Sequence, residues 1–153
     1  MKFKISEISK RPELIEKAIE YIWGCWGKDS NYKFYRDCIL NSTDDKKALP
    51  KFYVYANKDE IIASYALLTN DLISRQDLMP WFACLYVNKA HRNKGIAGKL
   101  LEHGLQESKK KGFDFLYLAT DHENFYEKKG WSFFTNGYEL DDSVFKIYCK
   151  STS

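Results

Sequence analysis

Between Trp81 and Ala119 the sequence reads as an apolar run, an amphipathic stretch and a second apolar run, and this order constrains the fold more than any other feature. WFACLYV (81–87) and FDFLYLA (113–119) are short and nearly continuous in their hydrophobicity, as expected of strands covered on both faces. From Ile96 onward, Ala97, Leu100, Leu101, Gly104 and Leu105 recur at the spacing of one helical face, while Lys99, Glu102, Gln106, Lys109 and Lys110 mostly fall on the others. Lys109, Lys110 and Lys111 suit the negative end of a helix dipole, and Gly112 suits its stop. Two strands joined through such a helix should lie parallel, because a tight turn can join only antiparallel ones.

The elements on either side are read from the same periodicities. KFKISEI (2–8) reads as a first edge strand. Leu14, Ile15, Ala18, Ile19 and Ile22 predict a helix over 11–23, with Pro12 in its first turn and Gly24 and Gly27 breaking it. Asp29 or Ser30 should cap a second helix carrying Tyr32, Phe34, Tyr35, Cys38 and Ile39. KFYVYAN (51–57) and IIASYALLT (61–69) read as a hairpin through Lys58, Asp59 and Glu60. Thr120 and Glu123 match a capping box for a short helix over DHENFYEKK (121–129), stopped by Gly130. WSFFTNG (131–137) and SVFKIYC (143–149) are expected as closing strands. No repeat, low-complexity tract or linker divides the 153 residues, which predicts one domain over 1–153.

Composition excludes several function classes. Twenty-four basic against 21 acidic side chains leave a net charge of +3, too small for the basic stripe of a dedicated nucleic-acid binder. Cys25, Cys38, Cys84 and Cys149 contain no C-x-x-C pair, so they predict buried thiols, with neither a metal site nor a disulfide framework. The N-terminus lacks an apolar signal core and no window is apolar enough to span a bilayer, so no membrane association and a cytoplasmic location are expected.

The chemistry concentrates in HRNKGIAGKLL (91–101), where a buried strand gives way to a helix. Gly95, Ala97 and Gly98 stand where unpaired backbone N–H groups and the positive end of the helix dipole converge, with Arg92 and Lys94 at the rim. The local chemistry permits either a phosphate cradle or an ordinary strand-to-helix turn with solvated basic side chains. Two phosphate motifs fail here. A Walker A loop would need glycine at Asn93 and a hydroxyl at Leu100, and a Rossmann fingerprint does not match G-I-A-G from Gly95.

The segment LYVNKAHRNKGIAGKLL instead resembles the signature of the GNAT superfamily of acyl-CoA-dependent N-acyltransferases, in which [RQ]-x-x-G-x-[GA] follows a strand ending in L-x-V and opens a long helix. Arg92, Gly95 and Ala97 occupy the defining positions, and Leu85 and Val87 the strand signature. FYEKKGW (125–131) is similar to a second family block, with Trp131 where phenylalanine is usual. The resemblance implies an α/β (α+β) fold: a mixed, mostly antiparallel, twisted sheet of the seven strands read above, helices on both faces and a central parallel β-α-β cofactor unit. It further implies acetyl-CoA as co-substrate, without a metal. Leu85, Tyr86 and Val87 would pair with the pantetheine arm as an added strand. Main-chain N–H groups of Arg92, Asn93, Lys94, Gly95, Ile96, Ala97 and Gly98 would hold the pyrophosphate. Tyr126 would protonate the departing thiolate, or else simply pack beside Phe125.

The general base is less determined, because Phe82 to Tyr86 include no carboxylate. Asp121 and His122 are close to Tyr126 along the chain and carry two readings, a proton relay or helix capping and dipole compensation. His91 and His103 read as a turn residue and a helix-surface residue, and the place of Cys84 in the middle of a strand read as buried argues against a nucleophile, which needs a partnered base and partial exposure. Segments 21–35 and 69–81 are expected on the acceptor side. Trp23, Trp26, Tyr32 and Trp81 would form either an aromatic wall for an amine or part of the core, and Asp29, Asp77, Asp141 and Asp142 would either attract a cation or be ordinary surface carboxylates. The expected activity is acetyl transfer to a primary amine of a small molecule or peptide by direct attack, in a monomer or homodimer. The alternative is a CoA-binding or protein-interaction module that has lost catalysis.

Overall fold

The computed structural model describes residues 2–153. Its seven strands form one mixed sheet in the order β1-β2-β3-β4-β5-β7-β6. They are β1 (Lys4–Glu7), β2 (Lys51–Ala56), β3 (Ile61–Leu68), β4 (Trp81–Val87), β5 (Phe115–Thr120), β6 (Ser132–Tyr138) and β7 (Val144–Ser151). The helices are α1 (Ile15–Trp26), α2 (Tyr32–Leu40) and α3 (Ile96–Lys110). β4 and β5 are parallel, with Trp81 opposite Tyr117, as a crossover through α3 requires. β1 runs antiparallel to β2, and β7 runs antiparallel to both β5 and β6. The mixed seven-stranded sheet with its central β-α-β unit is the fold expected from the sequence.

The chain groups into two compact units, one made of the chain up to Ala66 with Cys84–Leu100, the other of Leu67–Ala83 with Leu101–Ser153. In the first, Ala18, Ile19 and Ile22 of α1 and Ile39 of α2 are fully buried, as are Tyr53, Val54, Ala63 and Tyr65. Tyr53 and Tyr65 stack with ring centroids 4.6 Å apart. Lys51 is buried too, and its Nζ donates to the carbonyls of Ser42 and Asp44, which supply the partners a buried ammonium requires. In the second unit Ile73, Trp81 and Ile147 form a core cluster.

Several local expectations are corrected. Pro12–Leu14 form a 3-10 turn before α1, and α1 runs through Gly24 to Trp26, with Gly27 following as its extended cap. Neither Asp29 nor Ser30 caps α2. Asn31 precedes it, and the Asn31 side chain instead accepts from the Lys28 N–H and the Trp23 indole. At the far end of α3 the expected stop is present. Gly112 has φ +89°, Phe113 N–H reaches Ser108 O and Gly112 N–H reaches Lys109 O, a Schellman pair.

The largest correction concerns residues 121–129. The only helical turn there is a 3-10 turn at Glu127–Lys129, closed by Gly130 at φ +84°. Asn124 has φ +68°, a left-handed conformation that no right-handed helix can pass through. The Thr120 hydroxyl accepts from the N–H of His122 at 3.0 Å, so the expected capping box with Glu123 is replaced by a local turn.

Candidate functional site

In the first unit, β4 departs from strand geometry at Cys84, whose φ of +56° is unusual for a residue with a Cβ. Trp81, Phe82 and Ala83 are buried, but Cys84, Leu85 and Tyr86 are half-exposed before Val87 is buried again. Cys84 and the two residues after it therefore belong to a part of the strand that is open on at least one side. Cys84, like the other three cysteines, is half-buried and outside any disulfide, where a fully buried thiol was expected.

The end of β4 is fixed on all sides. Asn88 N–H donates to Ile62 O at 2.8 Å, and the Tyr21 hydroxyl of α1 donates to Asn88 Oδ1 at 2.6 Å. Burial and the neighbouring Cys25 and Tyr86 push the Tyr21 phenol well above its usual pKa, so it remains a donor. Arg92 Nε donates to Val87 O at 2.8 Å, and its guanidinium lies 5.3 Å from the centre of the Tyr86 ring. Arg92 therefore staples the turn back onto the strand it follows.

Arg92, Asn93, Lys94 and Gly95 are exposed, and Ile96 buries its side chain as α3 begins. Asn93 and Gly95 are both left-handed, at φ +64° and +79°. Lys99 N–H donates to Gly95 O, so Gly95 is the N-cap and the N–H groups of Ile96, Ala97 and Gly98 precede the first bond of the helix ladder. A Cβ built on Gly95 would meet no protein atom within 4 Å. The space over this turn is open, and the backbone there can accept an anion at close approach. A diphosphate fits this donor set.

The aromatic residues divide. Trp81 is fully buried and belongs to the core. Trp23 packs edge-on against Tyr32, with centroids 5.2 Å apart, and its indole is bonded to the Lys28 carbonyl. Trp26 is 45% exposed and meets the Tyr86 ring edge-on. Of the four, Trp26 has the free surface that ligand recognition needs.

In the second unit Tyr126 is half-buried among Phe125, Tyr148 and Trp131, at centroid distances of 4.9, 6.0 and 6.4 Å. Burial raises its pKa, which keeps the phenol protonated and able to donate. Asp121 and His122 are exposed on the irregular segment before it, and no bond joins either side chain to Tyr126 among the described residues. His103 is half-buried rather than on the helix surface, and burial lowers its pKa.

Sequence reasoning did not single out Asp71. Burial, with the nearby Glu139 carboxylate second, pushes its pKa up to about 7. Asp71 lies in the loop after β3, which is tied to β6 by Ser74 N–H to Tyr138 O at 2.8 Å and Tyr138 N–H to Ser74 Oγ at 3.0 Å. Asp71 and Glu139 are far apart along the chain, and the polar stretch TND offers no local sign of their approach. Among the described residues, no cluster of His, Cys, Asp and Glu has the arrangement of a metal site. No helix there is long and apolar enough to cross a membrane.

Solved acetyltransferase structures share this fold. The aminoglycoside 6'-N-acetyltransferase from Enterococcus faecium aligns with a TM-score of 0.74 at 15% identity, over 98% of this chain and 97% of that one. Aminoglycoside 6'-acetyltransferase type Ii aligns at 0.72 and 18% identity, again over 98% and 97%. An aminoglycoside 6'-N-acetyltransferase complexed with coenzyme A aligns at 0.71 and 16% identity over the same shares. A search of curated proteins found no match. The model of the acetyltransferase (GNAT) domain matches residues 48–132, which include β4, the turn, α3 and Tyr126. That match spans more than half of the chain, and the chain belongs to the GNAT acetyltransferase family.

Proposed function

We propose that residues 1–153 act as one catalytic domain that transfers an acetyl group from acetyl-CoA to a primary amine of a small molecule or peptide. The observation that carries this reading is the turn at 92–98, with two left-handed residues, an open space over Gly95 and the first N–H groups of α3. Main-chain N–H groups from Asn93 to Gly98 hold the pyrophosphate, the Arg92 N–H expected among them being bonded instead to Lys89 O at 3.3 Å, and the main chain of Leu85, Tyr86 and Val87 pairs with the pantetheine arm. The similar fold of an enzyme complexed with coenzyme A supports the cofactor. The fold shared with aminoglycoside acetyltransferases supports a small-molecule amine.

Acetyl-CoA supplies the thioester whose carbonyl carbon takes the new bond. An amine arrives mostly as ammonium and must lose a proton before its nitrogen can attack. Asp121 and His122 are exposed enough to pass that proton to water. As the carbon–sulfur bond breaks, Tyr126 donates its phenolic proton to the sulfur, so CoA leaves as the neutral thiol, and the proton that the bonded nitrogen sheds in becoming an amide goes to water, which in turn restores the phenol. The half-buried setting of Tyr126 suits this role, since it keeps the proton on the oxygen until the sulfur develops charge.

Two measurements test the reading. Acetyl-CoA at 100 times its dissociation constant should stabilise the protein by about 2.7 kcal/mol, because the cradle exists only in the folded chain. No change in melting temperature at millimolar acetyl-CoA would remove the cofactor assignment. CoA release is then followed with polyamines, aminoglycosides, amino acids and peptide N-termini as acceptors. Tight acetyl-CoA binding without turnover on any of them would favour a CoA-binding module on the same fold.

A further inference from the structure

Strand β7 grips the segment that carries Tyr126 with three alternate side chains. Lys146 Nζ lies 3.1 Å from Glu123 Oε1, the Tyr148 hydroxyl donates to Glu127 Oε2 at 2.6 Å, and Lys150 Nζ donates to the Lys129 carbonyl at 2.9 Å. A spacing of two puts residues 146, 148 and 150 on one face of a strand, and their partners follow in the same order along the chain. The segment lacks a helical ladder of its own outside Glu127–Lys129, so these side chains take the place of backbone bonds.

The three grips differ in strength. Lys146–Glu123 and Lys150–Lys129 are exposed and contribute little. Tyr148 is 1% exposed, and its bond to a carboxylate is short and charge-assisted. The bond holds Glu127 below the usual carboxylate range and, as the main influence on Tyr148, pushes that phenol up to about 12. The pair therefore stays as phenol and carboxylate across the neutral range. Tyr148 also faces Tyr126 ring to ring at 6.0 Å, and Glu127 is the next residue along the chain from Tyr126.

We infer that Tyr148 and Glu127 are positioning residues for Tyr126: their bond locks the turn that begins at Tyr126 and so holds its phenol in one orientation during transfer. This rests on the proton-donating role proposed above for Tyr126. In this role both act through the phenol they orient.

A double-mutant cycle separates this from a general structural role. Single-turnover transfer from acetyl-CoA to the best amine of the panel is measured for the wild type, Tyr148→Phe, Tyr126→Phe and the double variant. Tyr148→Phe should slow transfer by roughly tenfold or more with little change in acetyl-CoA affinity, because small misplacements of a catalytic group are expensive. In the Tyr126→Phe background it should change the rate by less than about twofold, since no phenol remains to be oriented. Glu127→Gln keeps an acceptor oxygen and should retain more activity than Glu127→Ala. Hydrogen exchange, which needs no acceptor, should rise over 121–131 in Tyr148→Phe while α3 is unchanged.

If Tyr126→Phe alone transfers at the wild-type rate, or no amine is acetylated, the role of Tyr126 itself fails and this inference with it. If Tyr126→Phe is slow but Tyr148→Phe is not, the positioning role alone is overturned. Equal losses from Tyr148→Phe in both backgrounds, or unchanged exchange over 121–131, overturn it as well.

Discussion

The turn at 88–98 and the segment at 120–131 both hold a family motif, yet they are built by different means. In the first, backbone conformation does the work. Asn93 and Gly95 take left-handed angles, Gly95 opens α3, and Arg92 bonds a carbonyl only five residues back along the chain. In the second, local turns at Thr120–His122 and Glu127–Lys129 are supplemented by a distant strand, whose Lys146, Tyr148 and Lys150 bond residues 123, 127 and 129. Local sequence specifies the first kind of site directly. It specifies the second only in part: Thr120 and Glu123 suggest a capped helix, which the Thr120–His122 turn and the left-handed Asn124 replace, and the bonds from the distant strand carry no local sign.

The sharpest way to break this comparison is chemical. Tyr126→Phe removes one oxygen and leaves the ring contacts with Phe125, Trp131 and Tyr148 in place. If the phenol protonates the leaving sulfur, single-turnover transfer should fall by 10²- to 10⁴-fold, the typical range for a positioned general acid, with acetyl-CoA affinity nearly unchanged. Rates within about threefold of the wild type would leave the second motif with a packing role only.

A smaller loss is expected in the turn. Gly95→Val places a β-branched side chain where φ is +79° and fills the space over the N-cap. Left-handed geometry costs such a residue roughly 1–2 kcal/mol, and the protein should remain folded because no neighbour is displaced. Acetyl-CoA affinity should fall by about tenfold or more, which corresponds to 1.4 kcal/mol or above. Unchanged affinity in a folded Gly95→Val protein would locate the phosphate site elsewhere.

The same division explains how much could be read from sequence. The strand–helix–strand unit, the hairpin and the Gly112 stop follow from periodicity and turn chemistry, and they form as expected. The run of α1 through Gly24 does not follow, because buried contacts of Ala18, Ile19 and Ile22 outweigh the roughly 1 kcal/mol that one glycine costs a helix. Asp71 was invisible because Glu139, which acts on it, lies far along the chain, next to the Tyr138 that bonds Ser74. Its pKa of about 7 lies above the 3.8 of an ordinary aspartate, so the folded state binds this proton more tightly than the unfolded one. Stability from this group is therefore complete below about pH 4 and declines as pH rises toward 7. Asp71→Asn should accordingly raise the melting temperature more at pH 8 than at pH 5. Equal shifts at both values would mean that the carboxyl titrates normally.

The smallest effect is the most direct test of how the second region is built. A Glu123 closing a capping box would satisfy a helix N-terminus, and losing it would cost on the order of 1 kcal/mol together with some helical circular dichroism. In the structure Glu123 is instead an exposed partner of Lys146, with side chains 71% and 41% accessible and the charged atoms 3.1 Å apart. Exposed pairs of this kind are typically worth a few tenths of a kcal/mol and weaken with salt. Glu123→Gln should therefore lower stability by less than about 0.5 kcal/mol at physiological ionic strength, with an unchanged far-ultraviolet spectrum. Denaturant unfolding of both proteins, at low and high salt, reads the difference. A loss near 1 kcal/mol that persists in high salt would restore the capped helix and remove the distinction drawn between the two regions.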